Sequence, residues 1–554
     1  MNTKLTKLTS GLMLALGVLV LAQGDRLGGS AASTPDDPVL RAMKIELERS
    51  KSQLRLEQMA APYYIEYQVV DMERRAAEAA YGALRSDLHL RVRLLRVVVR
   101  VGDYKQDSYF GQGQGSLNLA PLDDNELALR HHLWLATDQA YKAAIESLAA
   151  KQAQLKQLTV DQPVDDFAHA DPVQHLEPLA KLDGDTAPWL KAIQDATALY
   201  KTDPQIQSMT SSIEFQAVNH YFVNSEGSIV RTGATRYEAR VEASTQASDG
   251  MQLDQSAEYI VNEVKDLPTP GEFLGRAGEM IGTLKDLRAA PVADEEYRGP
   301  VLLSSHAASA LFADLVGENI RGLRPKLGQP ARTLGAFASS YKSRVLPDFL
   351  SVVDDPTLTS YGGRSLLGHY EVDDEGVKAM RVIAVEKGNL VNYLLGRQPI
   401  RDFPNSNGHG RARRPAGAPE PSLGNLIVIS SESTPPAELK KKLIDLCQKH
   451  EQPYGYYADS LSSLRNPRLL YRVWAKDGHE ELIRGAVLAD LDVRSLRNDL
   501  IAAGDDMNAW NRAQNVPHSV VNPSVLFDEL EVKRADQNKS KLPEYPPPPL
   551  TSPE

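Results

Sequence analysis

Two stretches of this 554-residue chain group side chains able to hold or transform a ligand. They are Ser304-Ser305-His306-Ala307-Ala308-Ser309 and the loop Asn405-Ser406-Asn407-Gly408-His409-Gly410-Arg411. A catalytic zinc ion needs three protein ligands and an open position, commonly two histidines one helical turn apart with a third ligand from elsewhere. Neither a His-Glu-x-x-His nor a Cys-x-x-Cys spacing occurs in the chain. Adjacent His131 and His132 point in different directions on a helix and do not grip one ion together. His169 and His175 fall among acidic residues in a loop-like stretch. The single cysteine, Cys447, precludes an intramolecular disulfide. Its place beside Leu443 and Leu446 in helical register reads as a small buried hydrophobe.

Nucleophilic and phosphate chemistry find no frame either. No Gly-x-Ser-x-Gly elbow is present, and Ser304 and Ser305 read as helix caps. Gly408-His409-Gly410 lacks the third glycine and the preceding strand of a dinucleotide-binding turn. Asp354-Asp355 and Asp373-Asp374 read as turn residues, and Asp505-Asp506 as a solvated helix end.

The elements that position these groups follow from periodicity. A helix over Asp37 to about Ala60 ends at Pro62, and strands are expected at Tyr63–Val70 and Leu88–Val101. A long helix capped by Asp123 or Asp124 runs to about Leu158, with Leu127, Trp134, Tyr141, Leu148 and Leu155 every seven residues. The stretch Pro163–Pro188 reads as a loop. Ile213–Ala247 reads as an antiparallel meander turning at Asn224-Ser225-Glu226-Gly227. A helix at Gly271–Leu287 leads to a boundary at Ala289-Ala290-Pro291. Beyond it come a strand at Val301–Leu303 and a helix at Ala307–Leu323. Strands at Lys378–Val385 and Leu390–Leu395, a helix at Ala437–His450 and a strand at Leu469–Ala475 complete the pattern.

Length favours two large domains with tails. A net charge of −11 argues against a nucleic-acid partner, which calls for a basic surface. Lys4 and Lys7 before the apolar run Leu12–Ala22 and small residues form an export-signal pattern, with cleavage after Gly24 or Ala32. The run is short for roughly 30 Å of hydrocarbon, although an uncleaved anchor stays open. The expected location is periplasmic or extracellular, with no membrane contact beyond the signal. Four consecutive prolines, Pro546–Pro549, mark an extended tail.

Five segments carry a family resemblance: Tyr221–Gly250 (YFVNSEGSIVRTGATRYEARVEASTQASDG), Gly299–Phe312 (GPVLLSSHAASALF), Asp373–Arg381 (DDEGVKAMR), Asn405–Arg414 (NSNGHGRARR) and Arg484–Asp506. Together they resemble the TldD/PmbA family, peptidase-related proteins once described as modulators of DNA gyrase, over roughly Tyr63 to Val532. The resemblance implies an α/β (α+β) fold with an N-terminal antiparallel sheet and long helices, and a C-terminal curved β-sheet domain enclosing a cavity. It implies an N-terminal domain (37–290) and a C-terminal domain (296–536), which the export-signal pattern (1–32) precedes and the Pro-rich tail (537–554) follows. Metal-bearing members carry His-Glu-x-x-x-His and a downstream cysteine, and a partner kind lacks both. Laid on that motif, Ser304 and Ser309 take the histidine positions and Ser305 the glutamate. Asn511–Asn522, where the cysteine belongs, has none. Hydroxyls are poor zinc ligands and cannot act as the carboxylate base. No cofactor is therefore expected, zinc being confined to the metal-bearing members, and no catalytic residue is assigned. Asn407, Gly408, His409, Gly410 and Arg411 are the candidate substrate-binding residues, with Arg411 placed to hold a carboxylate. The leading expectation is a metal-free protein that binds extended peptides or unfolded polypeptide, or assembles with itself or a TldD-like relative. An active peptidase with other ligands, or a structural envelope protein, are the alternatives.

Overall fold

Charge pairing across strands, more than apolar alternation, sets the length of the N-terminal sheet. In a computed structural model, described over residues 37–56, 58–158, 164–413, 416–513 and 516–536, this half runs as follows. Its elements are α1 (Pro38–Gln53), β1 (Pro62–Ala80), β2 (Ala83–Val101), β3 (Ser116–Leu119), α2 (Glu126–Leu155), β4 (Gln174–Leu176), α3 (Ala187–Ala198), β5 (Ile206–Asn224), β6 (Ile229–Gln246), β7 (Gln252–Val261) and α4 (Pro270–Ala289). The expected export signal and Pro-rich tail lie outside the described residues. Strand order is β3-β2-β1-β5-β6, with β4 parallel and β7 antiparallel to different parts of β6.

β1 and β2 are far longer than the apolar runs predict. The segment Asp71–Ala80 is rich in helix formers, yet it stays extended because its charges meet partners across the sheet. Arg91 and Arg93 pair with Asp71, Arg74 pairs with Glu214, and His89 Nε2 lies 2.8 Å from Glu73. Tyr81 and Gly82, both at positive φ, turn the hairpin. The meander of β5 and β6 turns at Asn224–Gly227 as expected, with Asn224 Oδ1 accepting the N–H groups of Gly227 and Ser228.

Helices cover one face of this sheet. α1 and α2 pack on Tyr67, Val69, Leu95 and Val97, and α3 and α4 on Ile213, Phe215, Tyr237 and Val241. The predicted seven-residue stripe of α2 is displaced. Leu127 and Trp134 are exposed, whereas Leu129, Leu133, Ala136, Ala140, Tyr141 and Ala144 are buried, because small residues let the helix approach the sheet closely. Its cap is Asn125, whose Oδ1 accepts the Ala128 N–H, and not Asp123 or Asp124. The predicted 163–188 loop contains β4, and α3 is an element that the sequence reading did not find.

The C-terminal half begins with β8 (Glu296–Leu303) and α5 (Ser305–Leu311). β8 lies between the parallel strand Tyr454–Ser463 and the antiparallel strand Val525–Arg534 in an eight-stranded sheet. A six-stranded sheet joins Leu350–Asp354, Val382–Glu386, Asn425–Ser430, His518–Asn522 and Asn508–Arg512 with the short Asn389–Leu390. Both sheets share one large apolar core. The helix predicted over 307–323 stops as α-helix at Leu311 and continues as a wider turn through Val316. Its apolar face is nevertheless buried at Leu311, Phe312, Leu315, Val316 and Ile320. The strands predicted at 378–385 and 390–395 shrink to Val382–Glu386 and Asn389–Leu390. The helix over Pro436–Lys449 and the strand over Asn466–Trp474 fall where predicted. The fold is mixed α/β, and no sheet closes into a barrel among the described residues. No helix among them is long and apolar enough to cross a membrane.

The two halves meet where Phe222 and Val230 on the helix-free sheet face pack against Val372. Gly376, four residues on at φ 77°, faces the same ring, and a Cβ there would lie 2.5 Å from Phe222 Cε1. Gly376→Ala therefore adds backbone strain to an overlap, and we expect a loss of about 2–4 kcal/mol in urea unfolding. A loss within 0.5 kcal/mol would show that this junction does not hold the halves together.

Candidate functional site

β8 ends on a row of serines, and each hydroxyl is already engaged. Ser304 Oγ donates to the Asp459 carbonyl at 2.6 Å and accepts the Ala307 N–H at 3.0 Å, the expected cap. Ser305 is not a cap. Its Oγ donates to the Asn522 carbonyl at 2.8 Å and accepts the Trp510 indole N–H at 3.0 Å. Ser309 Oγ donates to the His306 carbonyl at 2.7 Å. The His306 ring is exposed and stacks on Trp510, centroids 4.2 Å apart. Strands Asn508–Arg512 and His518–Asn522 thus bring the late segment against α5, although the groups that meet are hydroxyl, indole and amide.

These residues do not fit a zinc ion. Both roles of the Ser305 hydroxyl are committed, and an indole N–H only donates. Among the described residues, no three His, Cys, Asp or Glu side chains converge as ligands. His131 and His132 are exposed on α2, and His169 stacks on Tyr104. Cys447 is wholly buried, and burial pushes its thiol up to about 11. The polar sheet-face depression lined by Ser208, Thr210, Glu242, Ser244, Asp254 and Gln255 includes none of the predicted site residues.

The glycine-rich loop is built around a buried acidic turn. Asp373 Oδ1 accepts the N–H groups of Glu375 and Val377 at 3.0 and 2.8 Å, and Oδ2 accepts that of Gly410 at 2.8 Å. Glu375 Oε2 accepts the Arg397 N–H at 2.5 Å. It sits so close to Gly410 that a Cβ there would be 2.2 Å away. The Arg397 side chain is fully buried over Phe167, donating to the Ala168 carbonyl and to both carboxylate oxygens of Glu226 at 2.7 Å.

Of the five predicted site residues, four build this framework. Asn407 Oδ1 accepts the Leu395 N–H and its Nδ2 donates to the Tyr393 carbonyl. Gly408 has φ 73° and lies against Lys378. His409 is fully buried, with Nε2 3.2 Å from Asp354 Oδ1. Arg411 differs: its guanidinium lies 4.2 Å over the Tyr370 ring and 3.6 Å from Asp374, and its Nη1 is buried without a hydrogen-bond partner. Asp354 is a buried strand residue that also accepts the Gly424 N–H, not a turn residue. Asp506 follows a strand, not a helix, and accepts the Ser524 N–H at 2.9 Å.

Trp510, Asn522, Arg397 and Glu226 escaped the sequence reading. Arg397, following Leu394-Leu395-Gly396, carried the one usable signal, a lone cation after an apolar run.

Burial dominates the electrostatics of the acidic turn. It raises Asp373 well above the usual carboxylate range, with Glu375 adding to the effect. It raises Glu375 to about 7, where the Arg397 N–H and guanidinium oppose it and Glu66 reinforces it. Burial also holds His220, 3.8 Å from Asp374, below its usual value. A carboxyl raised on folding contributes stability below its unfolded value of about 4.5, and that stability is lost as pH rises through about 7. Buried Asp71 and Asp107 are lowered despite burial, because Arg91 and Arg93, and Arg100, pair with them, so they act with the opposite sign toward acid. Comparison with Glu375→Gln isolates the term. The parent should lose stability relative to the variant between pH 5 and 8, and parallel pH–Tm curves would refute the assignment.

Residues 296–534 match the PmbA/TldA metallopeptidase C-terminal domain. A metalloprotease of Methanothermobacter thermautotrophicus is 25% identical over 219 residues, 37% of this chain and 42% of that protein. One of Methanocaldococcus jannaschii is 26% identical over 223 residues, 38% of this chain and 44% of that protein. The matched region thus spans less than half the length of either. TldE of Thermococcus kodakarensis superposes with a TM-score of 0.57 at 13% identity, covering 89% of this chain and 99% of the other. A Thermotoga maritima protein described as a putative modulator of DNA gyrase does so with a TM-score of 0.57 at 14% identity, covering 88% and 100%. Residues 296–534 thus carry the PmbA/TldA metallopeptidase C-terminal domain, and the chain shares the fold of TldE and of the Thermotoga protein.

Proposed function

We propose that this chain is an exported, metal-free member of the family. In this reading it binds extended peptides and acts as a partner subunit, with itself or with a metal-bearing relative. The observation that carries the metal-free reading is the engagement of Ser305 by Asn522 and Trp510 at the place of the zinc-site glutamate. Binding by strand addition needs only an edge with free backbone groups, and β7 pairs with β6 alone among the described strands. Arg411, a partly exposed cation beside Asp374, is the loop residue we assign to a peptide carboxylate. Association is supported by Leu88 and Leu90 on β2 and Leu117 and Leu119 on β3, which share one face of the outer strands and stay 41–68% exposed. Export rests on the apolar run Leu12–Ala22 after Lys4 and Lys7.

Elemental analysis of purified protein, run beside calorimetry with an unfolded polypeptide, tests the reading. We expect zinc far below one ion per chain and peptide affinity unchanged by chelator. Stoichiometric zinc with hydrolysis abolished by chelation would establish an active peptidase instead. Absence of any peptide binding would leave a structural envelope role. Fractionation should place the chain outside the cytoplasm, and recovery in the cytoplasm would remove the export assignment.

A further inference from the structure

The outer edge of the N-terminal sheet is open along part of β2. β3 pairs with residues 94–97 alone, and the Arg93 carbonyl accepts the Ala120 N–H, so no strand among the described residues covers the stretch before Arg93. At its other end the regular edge stops at Ser86, because Arg85 is an extra residue between the pairs Glu78–Ser86 and Ala79–Leu84. What remains is Ser86 to Val92, exposed throughout except at the half-buried Val92. Backbone groups alternate in direction along an antiparallel strand, and the Arg93 carbonyl points outward. The N–H and C=O groups of Asp87, His89 and Arg91 therefore point outward too, with no strand to receive them.

This edge is complementary to itself. A two-fold axis perpendicular to the sheet pairs two copies antiparallel and lets only residues on the same face meet. With His89 opposite His89, the open segment of one copy covers that of the other from end to end, Ser86 facing Val92. Asp87 then faces Arg91 on both sides of the axis, and on the helix-free face Leu88 meets Leu90. Both leucines are exposed in the single chain, 44% and 41%. Arg85, His89 and Arg91 are each paired within the chain, with Glu78, Glu73 and Asp71, whereas Asp87 has no ion pair among the described residues. Arg91 gives Nε and Nη2 to Asp71 and keeps a half-exposed side chain, which leaves Nη1 for a second carboxylate. The neighbouring allowed registers are worse. One sets Arg85 against Arg91, and the other sets Arg91 against His89 and runs into the Arg93 carbonyl already taken.

We propose that two copies of this chain join through the open edges of β2, with His89 on the two-fold axis, into one continuous sheet. This deepens the partner-subunit reading and rests on it. The outward N–H and C=O groups of Asp87, His89 and Arg91 in one copy pair with those of Arg91, His89 and Asp87 in the other. Charged side chains on an edge usually oppose such pairing; here their order along the strand permits one register and penalises its neighbours.

Sedimentation of the full chain and oxidation of variants with one added cysteine test this. The native Cys447 is buried, so the added thiol reports alone. His89→Cys should cross-link two chains, because hydrogen-bonded antiparallel neighbours stand about 5.5 Å apart at Cα, within disulfide reach. Asp87→Cys should not, since the same residue of the other copy lies about 13 Å further along the edge. The parent should sediment as a dimer at micromolar concentration. Asp87→Arg sets cation against cation at an exposed position, and should weaken association at least about tenfold while keeping the parent Tm. A dimer that Asp87→Arg leaves intact, or that cross-links at 87 and not at 89, would overturn the edge and leave the partner-subunit reading standing. A monomer whose Asp87→Arg variant loses affinity for unfolded polypeptide would give the edge to a peptide strand and overturn the dimer. A monomer under every condition would also overturn it, and if a purified metal-bearing relative failed to bind as well, the partner-subunit reading itself would fall.

Discussion

The buried carboxylate of Asp373 is the interaction on which the arrangement depends. It gathers the N–H groups of Glu375, Val377 and Gly410, and so fixes the acidic turn to the glycine-rich loop. An unpaired carboxylate in such a place would cost several kcal/mol, so the three donors are a condition of its burial. Glu375, carried on the same turn, receives the Arg397 N–H. The Arg397 side chain in turn crosses to Ala168 and Glu226 of the N-terminal half. Removing either member of the Arg397–Glu226 pair would leave a buried charge uncompensated, which is why this junction tolerates little change.

That junction explains why the conspicuous loop is mostly scaffold. Glycine is required at 410 because Glu375 fills the space of a side chain, and at 408 because the backbone is left-handed against Lys378. His409 is held by Asn407 and Asp354 out of contact with solvent. Only Arg411 retains a free donor.

At the start of α5 the groups that meet are hydroxyl, indole and amide. The late strands bring residues 510 and 522 against the helix, within a fold shared with solved structures at 13–14% identity. Packing constrains shape more than it constrains ligand identity.

What the sequence by itself determined was local. The hairpin turn at Asn224–Gly227, the Ser304 cap, the buried face from Leu311 to Ile320 and the inert Cys447 all follow from short-range preferences. The missing zinc motif was equally legible, since it depends on residue type and spacing alone. Tertiary structure decided what depends on distant partners. It kept Asp71–Ala80 extended through ion pairs with β2 and β5, moved the buried stripe of α2 off its predicted register, and made Asp354 a buried strand residue. It also stacked His306 on Trp510, residues that the sequence separates by about two hundred positions. Their meeting is a property of strand order and register, and periodicity along one chain carries no information about which strands will lie side by side.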